Sequence, residues 1–203
     1  MKNILLTGGA GYIGSHIAEL FEKTNYNLFI IDNLETGFKR LINKKAKFIK
    51  LDIKNLNKLK TIIIKYKIDT IIHLAAYLNV SEAESNKIKY YNNNIRGTEN
   101  IVKACRNSIV KNILFSSSCS IYGNVKGSVN ENKRPNPQGY YAFTKYKGEQ
   151  IIKKYSKKNN FKYAVLRYFN VAGASPSNKI GQIEKSHGQL FKNIAIQSLK
   201  KKP

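Results

Sequence analysis

Tyr141 and Lys145 stand four positions apart in the stretch "GYYAFTKYKGEQ". On a helix that spacing puts a phenol and an ammonium on one face, a pairing suited to moving a proton on and off a hydroxyl group. A second pair, Tyr122 and Lys126, has the same spacing. With 13 Tyr and 31 Lys in 203 residues, about two such pairs arise by chance, so spacing alone selects neither. The N-terminus is better defined. "LLTGGAGYIGSH" places Gly8, Gly11 and Gly14 between an apolar run and a helical pattern. Residues without Cβ there let the chain turn tightly and let a pyrophosphate approach a helix N-terminus. The next apolar run ends in Asp32, 18 positions past Gly14, placed to accept hydrogen bonds from an adenosine ribose. A carboxylate there repels a 2′-phosphate, which favours NAD over NADP. These residues read as a dinucleotide site with NAD as cofactor.

Positioning them takes a regular scaffold. Apolar β-type runs at 3–8, 27–32, 46–52, 69–76, 111–118 and 162–170 alternate with helical patterns at 12–24, 55–66, 87–107, 140–158 and 189–200. Several runs are almost continuously apolar, as parallel strands buried on both faces require. The alternation predicts an α/β fold, a doubly wound parallel sheet of the Rossmann type. The one long, turn-rich loop is 123–139, "GNVKGSVNENKRPNPQG", and no internal repeat is present.

Composition narrows the function classes. No stretch reaches the roughly 18 uninterrupted apolar residues of a membrane span. The N-terminus runs into the glycine turn instead of a cleavage site, so no signal peptide is read. Cys105 and Cys119 lie in different predicted elements, and His16, His73 and His187 are scattered, so neither a disulfide framework nor a metal cluster is expected. A cytoplasmic chain with free thiols is the expectation. The net charge of +24 would ordinarily point to nucleic acid. Here it comes from lysine spread along the whole length, and Lys, Ile and Asn together make 81 of 203 residues. A/T-rich coding explains that pattern without a partner, so dedicated nucleic-acid binding is not expected.

"TGGAGYIGSH", "DNL", "HLAA", "NNNIRGT", "FSSSCSIYG", "YAFTK" and "LRYFNVAGASP" occur in the order and spacing of the extended short-chain dehydrogenase/reductase family. The chain is most similar to the UDP-glucose (UDP-galactose) 4-epimerase branch of that family. The resemblance implies that Tyr141, on the long helix after the fifth strand, is the catalytic member of the two pairs. Tyr122 falls in a strand-exit turn. Tyr141 would take the proton of a sugar 4-hydroxyl as hydride passes to NAD, giving a transient 4-keto sugar. Hydride returning to the other face would interconvert UDP-galactose and UDP-glucose, with NAD staying bound. A phenol is a poor base at neutral pH, and the resemblance has the Lys145 ammonium and the bound nicotinamide lower its pKa. Ser118 would hold the substrate hydroxyl in line, and Lys145 would also grip the nicotinamide ribose.

The remaining roles are likewise carried by resemblance. Gly8, Gly11, Tyr12, Ile13, Gly14, Asp32 and Asn33 would contact the cofactor. Asp52 and Ile53 would meet the adenine, Ala75 and Ala76 the pyrophosphate, and Asn93, Tyr168 and Tyr141 itself the nicotinamide half. Asn170 would reach the UDP-sugar. Related dehydratases and decarboxylases carry acidic groups after the serine run, where this chain has Cys119 and Ser120. Leu78 stands where many relatives have a lysine on the cofactor, which implies weaker cofactor binding. Gln189 stands where many have an asparagine near substrate. The resemblance implies a cofactor domain over 1–176 and the start of a substrate-binding region over 177–203, truncated relative to the family, with a homodimer as the family's usual assembly. Two alternatives stay open: a remnant that binds NAD without turnover, and a basic nucleotide- or nucleic-acid-binding module.

Overall fold

The computed structural model describes residues 2–183 and 190–200. Six strands form one sheet: β1 (Asn3–Thr7), β2 (Asn27–Asp32), β3 (Lys47–Lys50), β4 (Thr70–His73), β5 (Asn112–Ser118) and β6 (Lys162–Tyr168). Their order is β3-β2-β1-β4-β5-β6, and every neighbouring pair is parallel. The apolar runs alternate sides within the sheet. Leu5, Ile31, Ile71 and Ile113 belong to one core cluster, while Ile4, Leu6, Ile30 and Ile72 belong to the other. Helices α2 (Leu56–Lys65), α5 (Gly97–Ala104) and α6 (Tyr140–Asn159) supply the first cluster with Leu59 and Ile63, Ile101 and Val102, and Ile152. Helix α1 (Tyr12–Phe21) supplies the second with Ala18. Both faces of the sheet are therefore covered over β1, β2 and β4, which is why those strands are almost continuously buried. Strand β5 alternates, and the edge strands β3 and β6 are mostly partly or fully exposed.

After β1 the chain winds outward through β2 and β3, then crosses back to place β4 on the other side of β1. This reversal opens a crevice at the carboxyl ends of β1 and β4, the usual place for a ligand in open α/β sheets. Asparagine, abundant in the composition, caps the helices that frame it. Asn55 accepts from the Lys58 N–H at the start of α2. Asn79 and Asn86 do the same for α3 (Val80–Ser85) and α4 (Lys87–Tyr90), each cap satisfying a backbone donor that a helix start leaves open.

Two departures from the sequence reading bear on the site. Helix α3 falls between the run ending at 76 and the helical pattern starting at 87, where the sequence assigns no element. The single helix expected over 87–107 is three pieces, with a π-helical stretch, Tyr91–Arg96, between α4 and α5. The wider turn buries both Asn93 and Asn94, and such bulges recur at functional sites. Glycines set two close approaches around it. A Cβ on Gly97 would meet Ile53 at 2.4 Å, and one on Gly148 would meet the Phe115 ring at 2.4 Å. Gly148 thus lets α6 lie directly on β5, bringing Tyr141 and Lys145 to that strand's carboxyl end. The last helical pattern forms α7 (Leu190–Leu199); Gln189 lies outside the described residues. None of the described helices is long and apolar enough to cross a membrane.

Candidate functional site

A cleft of about 430 Å³ runs along the carboxyl ends of the central strands. Its lining takes in Gly8, Gly11, Tyr12, Ile13, Gly14, Asp32, Asn33, Ile53, Ala75, Ala76, Asn93, Ser118, Tyr141, Tyr168 and Asn170, so the structure gathers these expected residues into one place. Leu78 lines it too, half exposed. Lys145 and Asp52 do not. Lys145 is buried beneath the floor, where its ammonium donates to the Ser116 carbonyl at 2.8 Å. Asp52 is occupied at the rim: one oxygen accepts from the Lys54 N–H at 2.8 Å, the other from Asn33 Nδ2 at 3.2 Å. It supports Asn33, and Ile53 supplies the surface in the cleft.

The glycine turn is tightly determined. Gly8 has φ +74°, and a Cβ there would sit 2.8 Å from the Ala75 nitrogen. A Cβ on Gly14 would sit 2.3 Å from the Gly8 carbonyl oxygen. Gly11 differs, since its missing Cβ faces only the Gly8 carbonyl, at 3.3 Å. Gly11 precedes α1 with no side chain to cap it, so the first N–H groups of the helix face the cleft mouth without intrahelical partners. At the end of β2, Asp32 accepts from the Ala10 N–H at 3.0 Å and the Leu34 N–H at 2.8 Å. Each carboxylate oxygen keeps a second acceptor site. Tyr12 donates to the Gly173 carbonyl at 2.6 Å, pinning the segment after β6 across α1.

At the other end Tyr141, the second residue of α6, is buried beside Ser118. Burial raises the phenol above its ordinary pKa, and hydrogen bonding with Ser118 pulls the other way. The lysine contribution expected from the sequence is absent from these influences: the Lys145 ammonium is turned to Ser116, and burial brings its own pKa down to about 8. Ser118 accepts from the Ser120 hydroxyl at 2.9 Å and the Ser120 N–H at 3.2 Å. Tyr122, of the other Tyr–Lys pair, sits in a 3-10 turn and accepts from Arg167 at 2.9 Å. Arg167 in turn makes a bidentate pair with Glu149, at 3.0 and 2.9 Å, and Glu149 also accepts from Ser117 at 2.5 Å. This clamp fastens β5, β6 and α6 beneath the serines. Nothing in the spacing of Arg167 and Glu149 announces it.

A second network unforeseen from the sequence passes through His73. The Thr98 hydroxyl donates to the Asn94 carbonyl at 2.7 Å, so at 3.0 Å from His73 Nε2 it must accept, and the ring carries its proton on Nε2. Nδ1 is then bare and accepts from the Thr7 hydroxyl at 2.7 Å, whose oxygen takes the Ala75 N–H at 3.3 Å. Asn94 goes on to Thr144, and Thr144 to the Tyr141 carbonyl. One chain of oriented bonds therefore joins the glycine-loop end of the cleft to the start of α6. Burial, and secondarily Lys145, lower the His73 pKa to about 3. Below an unfolded value near 6.5 the unfolded chain binds a proton that the folded chain refuses, so stability falls as pH drops from 6.5 toward 3. The slope approaches about 1.4 kcal/mol per pH unit. Urea midpoints measured from pH 4 to pH 7 should fall less steeply in His73→Gln than in wild type, even though the variant starts less stable at pH 7.

A family model described as "NAD dependent epimerase/dehydratase family" matches residues 4–198. The UDP-glucose 4-epimerase of Lactobacillus helveticus is 38% identical over 192 residues, which takes in 94% of this chain and 58% of that protein. The crystal structure of UDP-glucose 4-epimerase from Brucella ovis in complex with NAD superposes with TM-score 0.93 at 33% identity, covering 99% of this chain and 62% of that one. The UDP-glucose 4-epimerase of Stenotrophomonas maltophila, with bound NAD and formylated UDP-arabinopyranose, superposes with TM-score 0.91 at 27% identity and the same coverage. The chain spans about three fifths of the length of these relatives.

Proposed function

The chain belongs to the NAD dependent epimerase/dehydratase family, and from that premise we propose that it binds NAD and interconverts UDP-galactose and UDP-glucose. The residues present fit the dinucleotide. Gly11 leaves open the space above the α1 N-terminus where a pyrophosphate would lie, and Asp32 keeps acceptor capacity for ribose hydroxyls. Ala75 and Ala76 offer small side chains on the opposite wall, and Asn93, Tyr168 and Tyr141 surround the far end. Bound there, NAD supplies a hydride acceptor and donor for a sugar carbon.

The chain's own part is proton handling. Tyr141 takes the proton from the sugar 4-hydroxyl and returns it after the 4-keto sugar has turned over, leaving C4 inverted. Ser118, already oriented by Ser120, holds the same oxygen in line. The observation that carries the epimerase reading is the pairing of Tyr141 and Ser118 in the cleft, with Cys119 and Ser120 at the two positions after the serine. Loss of water from the sugar needs a further acid and base close by, and neither a thiol nor a hydroxyl serves as both near neutral pH. Oxidation and reduction at one carbon, with NAD as the hydride carrier, need a single proton-transfer group, and Tyr141 is that group.

The test is turnover: purified chain with excess NAD and UDP-galactose, followed for UDP-glucose. Product is the expected result. Protein that holds NAD but gives no product would replace this reading with a cofactor-binding chain, and protein that holds no NAD would sink both.

A further inference from the structure

The two backbone segments flanking the adenosine end of the cleft are joined behind it. After β2, Asn33, Thr36 and Gly37 line the cleft, while the Glu35 carboxylate between them meets residues from the opposite wall. After β4, Ala75, Ala76 and Leu78 line the cleft, and Tyr77 between them donates its phenol to Glu35 Oε2 at 2.5 Å. The other oxygen of Glu35 faces the Lys89 ammonium at 3.7 Å. Lys89 is anchored to Glu82 at 2.7 Å and lies over the Tyr77 ring at 4.3 Å.

The two ends of this bridge are unequally held. Tyr77 is a fixed post: its ring is buried with Ala83, Tyr90 and Tyr141, and Asn94 bonds both its N–H, at 2.9 Å, and its carbonyl, at 3.1 Å. The Glu35 end belongs to a turn in which Leu34 has φ +63°, a left-handed conformation unfavourable to leucine. A strained turn bearing cofactor-lining residues is held against a rigid wall by one carboxylate.

We propose that the Glu35–Tyr77 bond, supported by Lys89, is a tie that sets how long a dinucleotide stays in the cleft. The inference rests on the NAD reading above. Release of the adenosine end requires residues 33–37 to move from the Tyr77 wall, and the tie resists that movement. Glu35, Tyr77 and Lys89 are positioning residues, since none of them lines the cleft.

The test is exchange of bound NAD for isotopically labelled NAD from the holoprotein. Glu35→Ala and Tyr77→Phe should each speed exchange roughly three- to ten-fold, the net worth of one partly solvent-exposed hydrogen bond. The double variant should be no faster than the faster single one, because both remove the same bond. Glu35→Gln, which keeps an acceptor for Tyr77 but loses the attraction to Lys89, should fall between wild type and Glu35→Ala. The melting temperature of the cofactor-free Glu35→Ala variant should stay within a degree or two of wild type, a readout that separates the tie from a general packing role. If Tyr77→Phe fails to fold, Glu35→Ala decides alone, since its side chain is half exposed. Singles that exchange at the wild-type rate, or singles whose effects multiply in the double, would overturn the tie while leaving the NAD reading intact. A wild-type chain that retains no NAD would overturn both.

Discussion

Replacing Tyr141 with phenylalanine is expected to cut conversion of UDP-galactose to UDP-glucose by about 10²- to 10⁴-fold, the usual worth of a positioned proton-transfer group. Binding of NAD should change little. The substitution removes only the phenolic oxygen. The ring stays packed against Tyr77, Ala83 and Tyr90, and α6 keeps its contacts through Thr144 and Gly148. Because burial raises the Tyr141 pKa, the base strength of the site depends on positive charge brought by the cofactor. The acidic limb of the pH–rate profile should therefore move with cofactor charge and disappear in Tyr141→Phe. The measurement is turnover together with NAD affinity by fluorescence titration. Loss of NAD affinity in step with turnover would place Tyr141 in cofactor binding alone. Unchanged turnover would move the proton transfer elsewhere.

How far the sequence reaches this site depends on how local each signal is. The glycine turn, Asp32 and the strand–helix alternation are written in contiguous residues, whereas the strand order β3-β2-β1-β4-β5-β6 is not, because the same alternation and right-handed crossovers serve other doubly wound orders. The choice between two Tyr–Lys pairs is also local once the elements are known, since Tyr122 lies in a 3-10 turn and Tyr141 on a helix. What stays hidden is made by distant partners. Arg167 and Glu149 are 18 residues apart, and His73 reaches Thr7 across 66. No periodicity marks such pairs, because their meeting is a property of the finished sheet. The π-helical stretch is hidden for another reason: "YNNNIRG" satisfies a helical pattern whether or not one turn widens, and the burial of two consecutive asparagines decides the matter. The position of Lys145 beneath the cleft floor is likewise invisible to a spacing argument. Four residues along a helix put it on the same side as Tyr141, and only the approach of α6 to β5, set by Gly148, turns its ammonium to Ser116.

That burial makes Lys145 the site of the second large effect. Its amine titrates near 10.5 in the unfolded chain and near 8 in the folded one. Above pH 10.5 it is neutral in both states and its burial carries no charge penalty. As pH falls from 10.5 to 8 the unfolded chain takes up a proton that the folded chain does not, and stability declines. Below pH 8 both states are charged and the deficit levels off at about 3 kcal/mol. Lys145→Met removes the charge and keeps a flexible apolar stem of similar length. It forfeits the bond to Ser116, worth about 1 kcal/mol, so a net gain of about 2 kcal/mol is expected at pH 7. For a domain of this size that is a rise in melting temperature of about 4–8 °C. The gain should vanish as pH rises through the range between 8 and 10.5, and if Lys145 grips the nicotinamide ribose, as the resemblance implies, the variant should lose most turnover. Melting curves at pH 7 and pH 10, with turnover at pH 7, make the test. A variant no more stable than wild type at pH 7 would mean that the ammonium is adequately solvated where it stands. A more stable variant with full turnover would remove Lys145 from the chemistry. Greater stability with lost turnover would show a buried charge retained at the expense of the fold for the sake of chemistry in the cleft above.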